Sequence, residues 1–232
     1  MTTESPTNFA VIITHNRPEL LRRCVDAIAP QVDFVIVIDN ASEPPVTSTD
    51  WSVRPLGRAV MLRNETQPPN LPALWNQALR IIGTLRAVEA DAHVAFLCDD
   101  AIAPAGWFAT VSGAMIETGA AAGCVNPFGH QHEPMLKTEP DHDLLHRMVG
   151  WAFVLDADRG IEPDETMHWW WCDTDIDWQA RVGGGGMVML GRPDLVVPNE
   201  RPNEFLMQKP ELAEQAGRDG ETFAAKWGGR PW

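Results

Sequence analysis

Three apolar runs, FAVIIT at residues 9–14, FVIVI at 34–38 and HVAFLC at 93–98, constrain this chain more than any other feature. Each is short, rich in β-branched and aromatic residues, and apolar throughout rather than alternating. That pattern belongs to strands buried on both faces. Between the runs the spacing turns helical. Leu20, Leu21, Cys24, Val25 and Ile28 share one helical face, preceded by Asn16-Arg17-Pro18-Glu19 and stopped by Pro30. Asn16 has the chemistry of a cap, Pro18 suits a first turn, and Glu19 stands at capping-box spacing. Further helices are predicted from about Pro72 to Val88 and from Pro104 to Glu117, with short strands at 59–62 and 121–125. Such alternation predicts an α/β fold: a parallel sheet with helices on both faces.

In a sheet of this kind ligands bind beyond the carboxyl ends of the strands. Polar clusters stand at those ends: Thr14-His15-Asn16, Asp39-Asn40 and Asp99-Asp100. The middle of the chain changes character. Residues 126–147 carry His130, His132, His142 and His146 and are predicted as a long surface loop. Strands are predicted at 148–155, 187–190 and 194–197, and a helix from Pro210 onward. The run Gly183 to Gly186 lacks the Lys-Ser/Thr of a phosphate loop and reads as a helix-to-strand turn.

At 232 residues the chain suits one large α/β domain or a domain with a tail. The natural divisions are 1–125, 126–209 and a helical tail or lid at 210–232. The net charge of −14, from 18 basic and 32 acidic residues, repels a polyphosphate backbone and argues against a large nucleic-acid interface. A small phosphorylated ligand held locally stays possible. Cys24, Cys98, Cys124 and Cys172 lie far apart in apolar contexts and are expected as reduced, buried thiols. No apolar run reaches membrane-spanning length, and MTTESPTN has no signal-peptide pattern, so a cytoplasmic location is expected.

The densest chemistry lies in HWWWCDTDIDW at 168–178, where Asp173, Asp175 and Asp177 follow three tryptophans. A calcium loop starting at Asp173 needs Gly at its sixth position and Glu at its twelfth, which here are Trp178 and Gly184. A helix start explains Asp175 and Asp177, with Asp173 or Thr174 as cap and an Asp177–Arg181 pair four residues apart. It leaves the tryptophans unexplained. Indoles beside a carboxylate serve as sugar platforms, and equally as ordinary core residues. The pairs His130/His132 and His142/His146 have zinc-compatible spacing but lack the adjacent Glu of a zinc protease.

The order of these clusters resembles the family 2 glycosyltransferases. It runs Asn16-Arg17-Pro18, Asp39-Asn40-Ala41-Ser42, Asn76-Gln77-Ala78-Leu79, Asp99-Asp100, Gly150-Trp151-Ala152-Phe153, and then Trp171-Cys172-Asp173. The resemblance covers roughly residues 9–190 and implies a GT-A-type mixed, mostly parallel sheet in a single domain. It implies an inverting transfer of a sugar from a nucleoside diphosphate donor, UDP by family habit, to an acceptor hydroxyl. By the same resemblance Asp100 would bind Mn²⁺ or Mg²⁺, with Asp99 on the ribose or a metal-bound water. Thr14, Asn16, Arg17, Asp39, Asn70 and Asn76 would contact the nucleotide sugar. Asp173 would be the general base, and Trp151, Trp170 and Trp171 would form a sugar or acceptor platform. Lys226 and Arg230 would close over the diphosphate. The chain departs from the family at Cys172, usually an acid, and at Leu71-Pro72 after Asn70. It also has Pro198-Asn199-Glu200 where many members place a metal-binding His. A third metal ligand would then be water, Asn199 or a histidine of the middle loop. Two other classes stand beside this one: a nucleotidyltransferase or sugar-phosphate enzyme, and a nucleotide-sugar-binding module without activity.

Overall fold

The apolar runs become neighbouring strands. In the computed structural model, which describes residues 7–47, 59–86, 92–143, 145–199 and 210–229, β1 (Asn8–Thr14) lies between β2 (Phe34–Asn40) and β4 (His93–Cys98), parallel to both. Strand β3 (Ala59–Asn64) adds a fourth parallel member beside β2. The other four are β5 (Ala122–Val125), β6 (His132–Lys137), β7 (Ala152–Asp156) and β8 (Met187–Gly191). They complete one eight-stranded sheet of order β3-β2-β1-β4-β7-β5-β8-β6. Strand β7 runs antiparallel to both β4 and β5, and β6 antiparallel to β8. The architecture is a single-domain α/β fold with a mixed, mostly parallel sheet.

Period-two alternation sorts the core onto two faces. Ala10 and Ile12 of β1 face helices α1 (Pro18–Ile28) and α3 (Trp107–Thr118), whose Leu21, Cys24, Val25, Trp107 and Val111 pack there. Phe9 and Val11 face α2 (Leu71–Leu85) and α4 (Cys172–Gly183) through Trp75, Ala78, Ile82, Ile176 and Ala180. Under α2, Trp75, Phe96 and Phe153 form a cluster with ring centroids 5.2–5.7 Å apart. Each such pair contributes about 0.5–1.5 kcal/mol beyond area burial. Helix α5 (Pro210–Trp227) packs Phe223 and Trp227 against Met167, Trp171 and Trp178 in a small separate cluster.

Several local expectations change. Helix α1 begins at Pro18 without a side-chain cap, because Asn16 sits in a left-handed turn (φ 56°) where its Oδ1 accepts the Glu43 amide. The loop expected over 126–147 contains β6, which gains its hydrogen bonds from β8 and is only partly buried, so its sequence shows no apolar run. The strand expected at 148–155 starts at Ala152, and residues 194–197 include a single 3₁₀ turn, Pro193–Leu195, instead of a strand. The Asp177–Arg181 pair forms, with Nε and Nη2 donating at 2.7 and 2.8 Å, but does more than brace a helix. Asp177 also accepts the Met148 amide, and Arg181 donates to the carbonyls of Glu139 and His146, tying α4 to the segment ahead of β7. No helix among the described residues is long and apolar enough to cross a membrane.

Candidate active site

A cleft of about 290 Å³ opens beyond the carboxyl ends of β1, β2 and β4. Thr14 ending β1, His15 and Arg17 after it, Asn40 ending β2, and Asp99 and Asp100 after β4 line it. Gly150, Trp151, Trp169, Trp170, Asp173 and Asn199 line it as well. Asn16, Ala41 and Trp171 are the non-glycine residues with positive φ among those described, and all three stand in turns beside lining residues. A left-handed non-glycine residue costs about 1–2 kcal/mol, and such strain concentrates where a turn must aim its neighbours.

Asp99 and Asp100, both lining the cleft, are 5% and 3% exposed. Thr14 donates its hydroxyl to Asp99 at 2.8 Å. The Arg17 guanidinium spans both acids, at 3.2 Å from Asp99 and 3.4 Å from Asp100. Burial pushes the Asp99 carboxyl up to about 6 despite Arg17 and Thr14, which favour its anion. Among the described residues no group of three His, Cys, Asp or Glu side chains is placed to hold a metal ion alone, and this includes the middle-loop histidines. Two adjacent carboxylates do fit the donor set of Mg²⁺ or Mn²⁺ sites whose coordination is completed by water and substrate phosphates. Arg17 already marks the place where positive charge is favourable.

Asp173, another lining residue, lies in the first turn of α4, half-buried. Burial raises its proton affinity, partly offset by the Arg147 charge and by backbone amides. Glycine is required at position 150, where a Cβ would stand 2.9 Å from Asp173 Oδ2 and 3.1 Å from its Cβ. Gly150→Ala is therefore expected to displace the carboxylate. The substitution should cost no more than about 1–3 kcal/mol of stability, which a thermal melt checks. Cys98 and Cys172 also line the cleft, but burial pushes both thiols far up, so neither supplies a thiolate nucleophile. No two of the four cysteines are bonded to each other.

Several expected contacts lie elsewhere. Asp39 is 1% exposed, and its carboxylate is taken by the amides of Ser42 and Val46 and by Arg63. Its neighbour Asn40 reaches the cleft instead. Asn70 caps α2 through the Ala73 amide and donates to the Glu165 carbonyl. Asn76 donates to Pro163 and Glu165. Both asparagines join α2 to the 163–165 loop rather than line the cleft. Trp171 turns away, its ring 5.4 Å from Phe223, and Trp169 takes the wall position beside Trp170. The Trp151 indole donates to the Val197 carbonyl while lining the cleft. Lys226 is ion-paired with Asp164 and Asp175 at 2.9 and 2.8 Å, which fastens α5 rather than poising a lid. Arg230 lies outside the described residues. Sequence reasoning gives His15 no role of its own. Its place one residue past β1 is the available signal, and its ring meets the Asn40 carbonyl at 2.7 Å.

No family model matches this chain, and no curated protein matches its sequence. Solved structures match its fold. Residues 1–349 of Staphylococcus aureus TarS in complex with UDP-GlcNAc align with a TM-score of 0.56 at 12% identity, over 88% of this chain and 61% of that one. Mannosyltransferase PcManGT from Pyrobaculum calidifontis, in complex with GDP-Man and Mn²⁺, aligns with a TM-score of 0.56 at 14% identity, over 96% of this chain and 65% of that one. A longer S. aureus TarS structure gives 0.57 at 12% identity, over 94% and 42%. The chain thus spans less than two thirds of each of these structures. The likeness shows that this chain shares the fold of these structures.

Proposed function

We propose that this chain is a glycosyltransferase of the family 2 kind, moving a sugar with inversion from a nucleoside diphosphate donor, by preference a UDP-sugar, to an acceptor hydroxyl. One observation carries the reading: the Asp99–Asp100 pair and Asp173 come from distant parts of the chain yet face one cleft at the carboxyl edge of the sheet. Residues 1–125 would bind the donor, and 126–209 would supply the base and acceptor wall.

Asp99 and Asp100 would hold a divalent ion, Mn²⁺ or Mg²⁺, which when bound offsets the charge of the departing diphosphate. Thr14 keeps Asp99 oriented through its hydroxyl. Arg17, ion-paired with the same two acids, would add positive charge beside the phosphates. Asp173 accepts the acceptor's hydroxyl proton as that oxygen bonds to the anomeric carbon. The bond from that carbon to the diphosphate oxygen breaks on the opposite face, so the configuration inverts. The raised proton affinity of Asp173 suits this role, because a carboxylate at the ordinary value is a weak base at neutral pH. Trp151, Trp169 and Trp170 offer apolar faces for a sugar ring and exclude water from one side.

Thermal unfolding with UDP-, GDP- and dTDP-sugars, with and without Mn²⁺, tests this. A donor at a hundredfold excess over its Kd stabilises by about 2.7 kcal/mol, a rise of about 5–10 °C for a domain of this size. The expected result is one nucleotide class that stabilises, and does so more strongly with Mn²⁺. Stabilisation by a nucleoside triphosphate alone would point to nucleotidyl transfer and overturn the reading. Donor binding with no transfer to any hydroxyl acceptor would leave a binding module.

A further inference from the structure

Asp219 belongs to α5, far along the chain from the cleft, and is fully buried. Its carboxylate accepts three successive backbone amides, those of His168, Trp169 and Trp170, at 3.0, 2.8 and 2.8 Å. Gln215, one turn earlier on α5, donates to the same carboxylate at 2.6 Å and orients it. Consecutive amides converging on one anion form a nest, a geometry that fixes a backbone turn tightly. The turn so fixed carries two of the three indoles that line the cleft and ends at Trp171, in the strained left-handed conformation (φ 66°) that starts α4. A left-handed tryptophan persists only where its surroundings over-determine it. Here the nest holds one side, and the Trp171 ring against Phe223 holds the other.

We infer that Asp219 is a positioning residue: through the amides of residues 168–170 it sets Trp169 and Trp170 as one wall of the cleft, so α5 is a working part of the site although it contributes no lining side chain. The inference rests on the reading of the cleft as a nucleotide-sugar site. Asparagine at 219 keeps the shape but replaces one accepting oxygen with an NH₂ donor facing amide N–H groups, so the nest cannot be completed.

The experiment is backbone amide exchange together with steady-state kinetics, on the full chain and on Asp219→Asn. The wild type is expected to protect amides 168–170. The variant is expected to lose that protection while β1 and β4 keep theirs. Its KM for the nucleotide sugar should rise about tenfold, with kcat changed less than about threefold, the signature of lost ground-state binding. Unprotected wild-type amides, an unchanged KM, or a fall in kcat alone would overturn the inference. Should Asp219→Asn not fold, Gln215→Ala loosens the same carboxylate and must speed exchange at 168–170, and unchanged exchange there counts against the proposal. If the wild type turned over no nucleotide sugar, the functional reading alone would fall, while exchange would still decide whether Asp219 holds the turn.

Discussion

Asp173→Asn is expected to bind the nucleotide sugar with wild-type affinity and to transfer it about 10²–10⁴ times more slowly, the usual contribution of a positioned general base. The amide keeps the shape of the carboxylate but has no basic oxygen to take the acceptor's proton. The pH profile makes the test sharper. Burial raises the Asp173 proton affinity from the ordinary aspartate value, with Arg147 pulling against it. The group works only when deprotonated, so wild-type kcat/KM should rise with pH through a midpoint above the ordinary aspartate value. The variant should lack this limb. Because the folded state binds the proton more tightly than the unfolded chain, this group's stabilising contribution is present at low pH and disappears as pH rises through the folded value. At neutral pH the ionised Asp173 therefore works against the fold, and Asp173→Asn should melt no lower than the wild type. Rates, binding isotherms and a melting curve separate lost chemistry from lost structure. Transfer at the wild-type rate would remove Asp173 from the mechanism.

Asp100→Ala is expected to weaken donor binding in the presence of Mn²⁺ by about a hundredfold, or about 2.7 kcal/mol. The loss should vanish in chelator. Without a metal ion Asp100 is simply a negative charge, 3% exposed, beside the place proposed for a diphosphate, so its removal should leave affinity unchanged or improved. Arg17 retains its contact with Asp99 in the variant and stays available to the phosphates. Isothermal titration of the donor, with and without Mn²⁺, reads both arms. An equal loss in both would mean that Asp100 acts by shaping the pocket and not by holding a cation.

The elements most legible in the sequence were those whose signal is local. Continuous apolar runs marked β1, β2 and β4, and the i, i+4 spacing of Asp177 and Arg181 marked a pair that the structure forms. Asp99 and Asp100 could be picked out because polar residues that end buried strands gather at the sheet's carboxyl edge, whereas Asp173 was singled out only by the family resemblance. Strand β6 was not legible. It lies at the sheet's edge, contains Pro134 and owes its conformation to hydrogen bonds from β8.

Within the candidate site the division falls between which segments face the cleft and which side chains do. The amino-acid order determined the alternating core, the edge at which polar groups gather, and the segments 14–17, 99–100 and 150–173 that supply them. Tertiary structure decided that Asn40 and not Asp39 reaches the cleft, because amides at 42 and 46 and the Arg63 guanidinium claim the Asp39 carboxylate. It decided likewise that Trp169 faces the cleft while Trp171 faces α5, through an acid at 219 that no local pattern connects to a tryptophan at 169. Burial periodicity is a property of consecutive residues. The direction of a side chain in a turn is set by whichever distant partner satisfies its backbone and fills the space beside it.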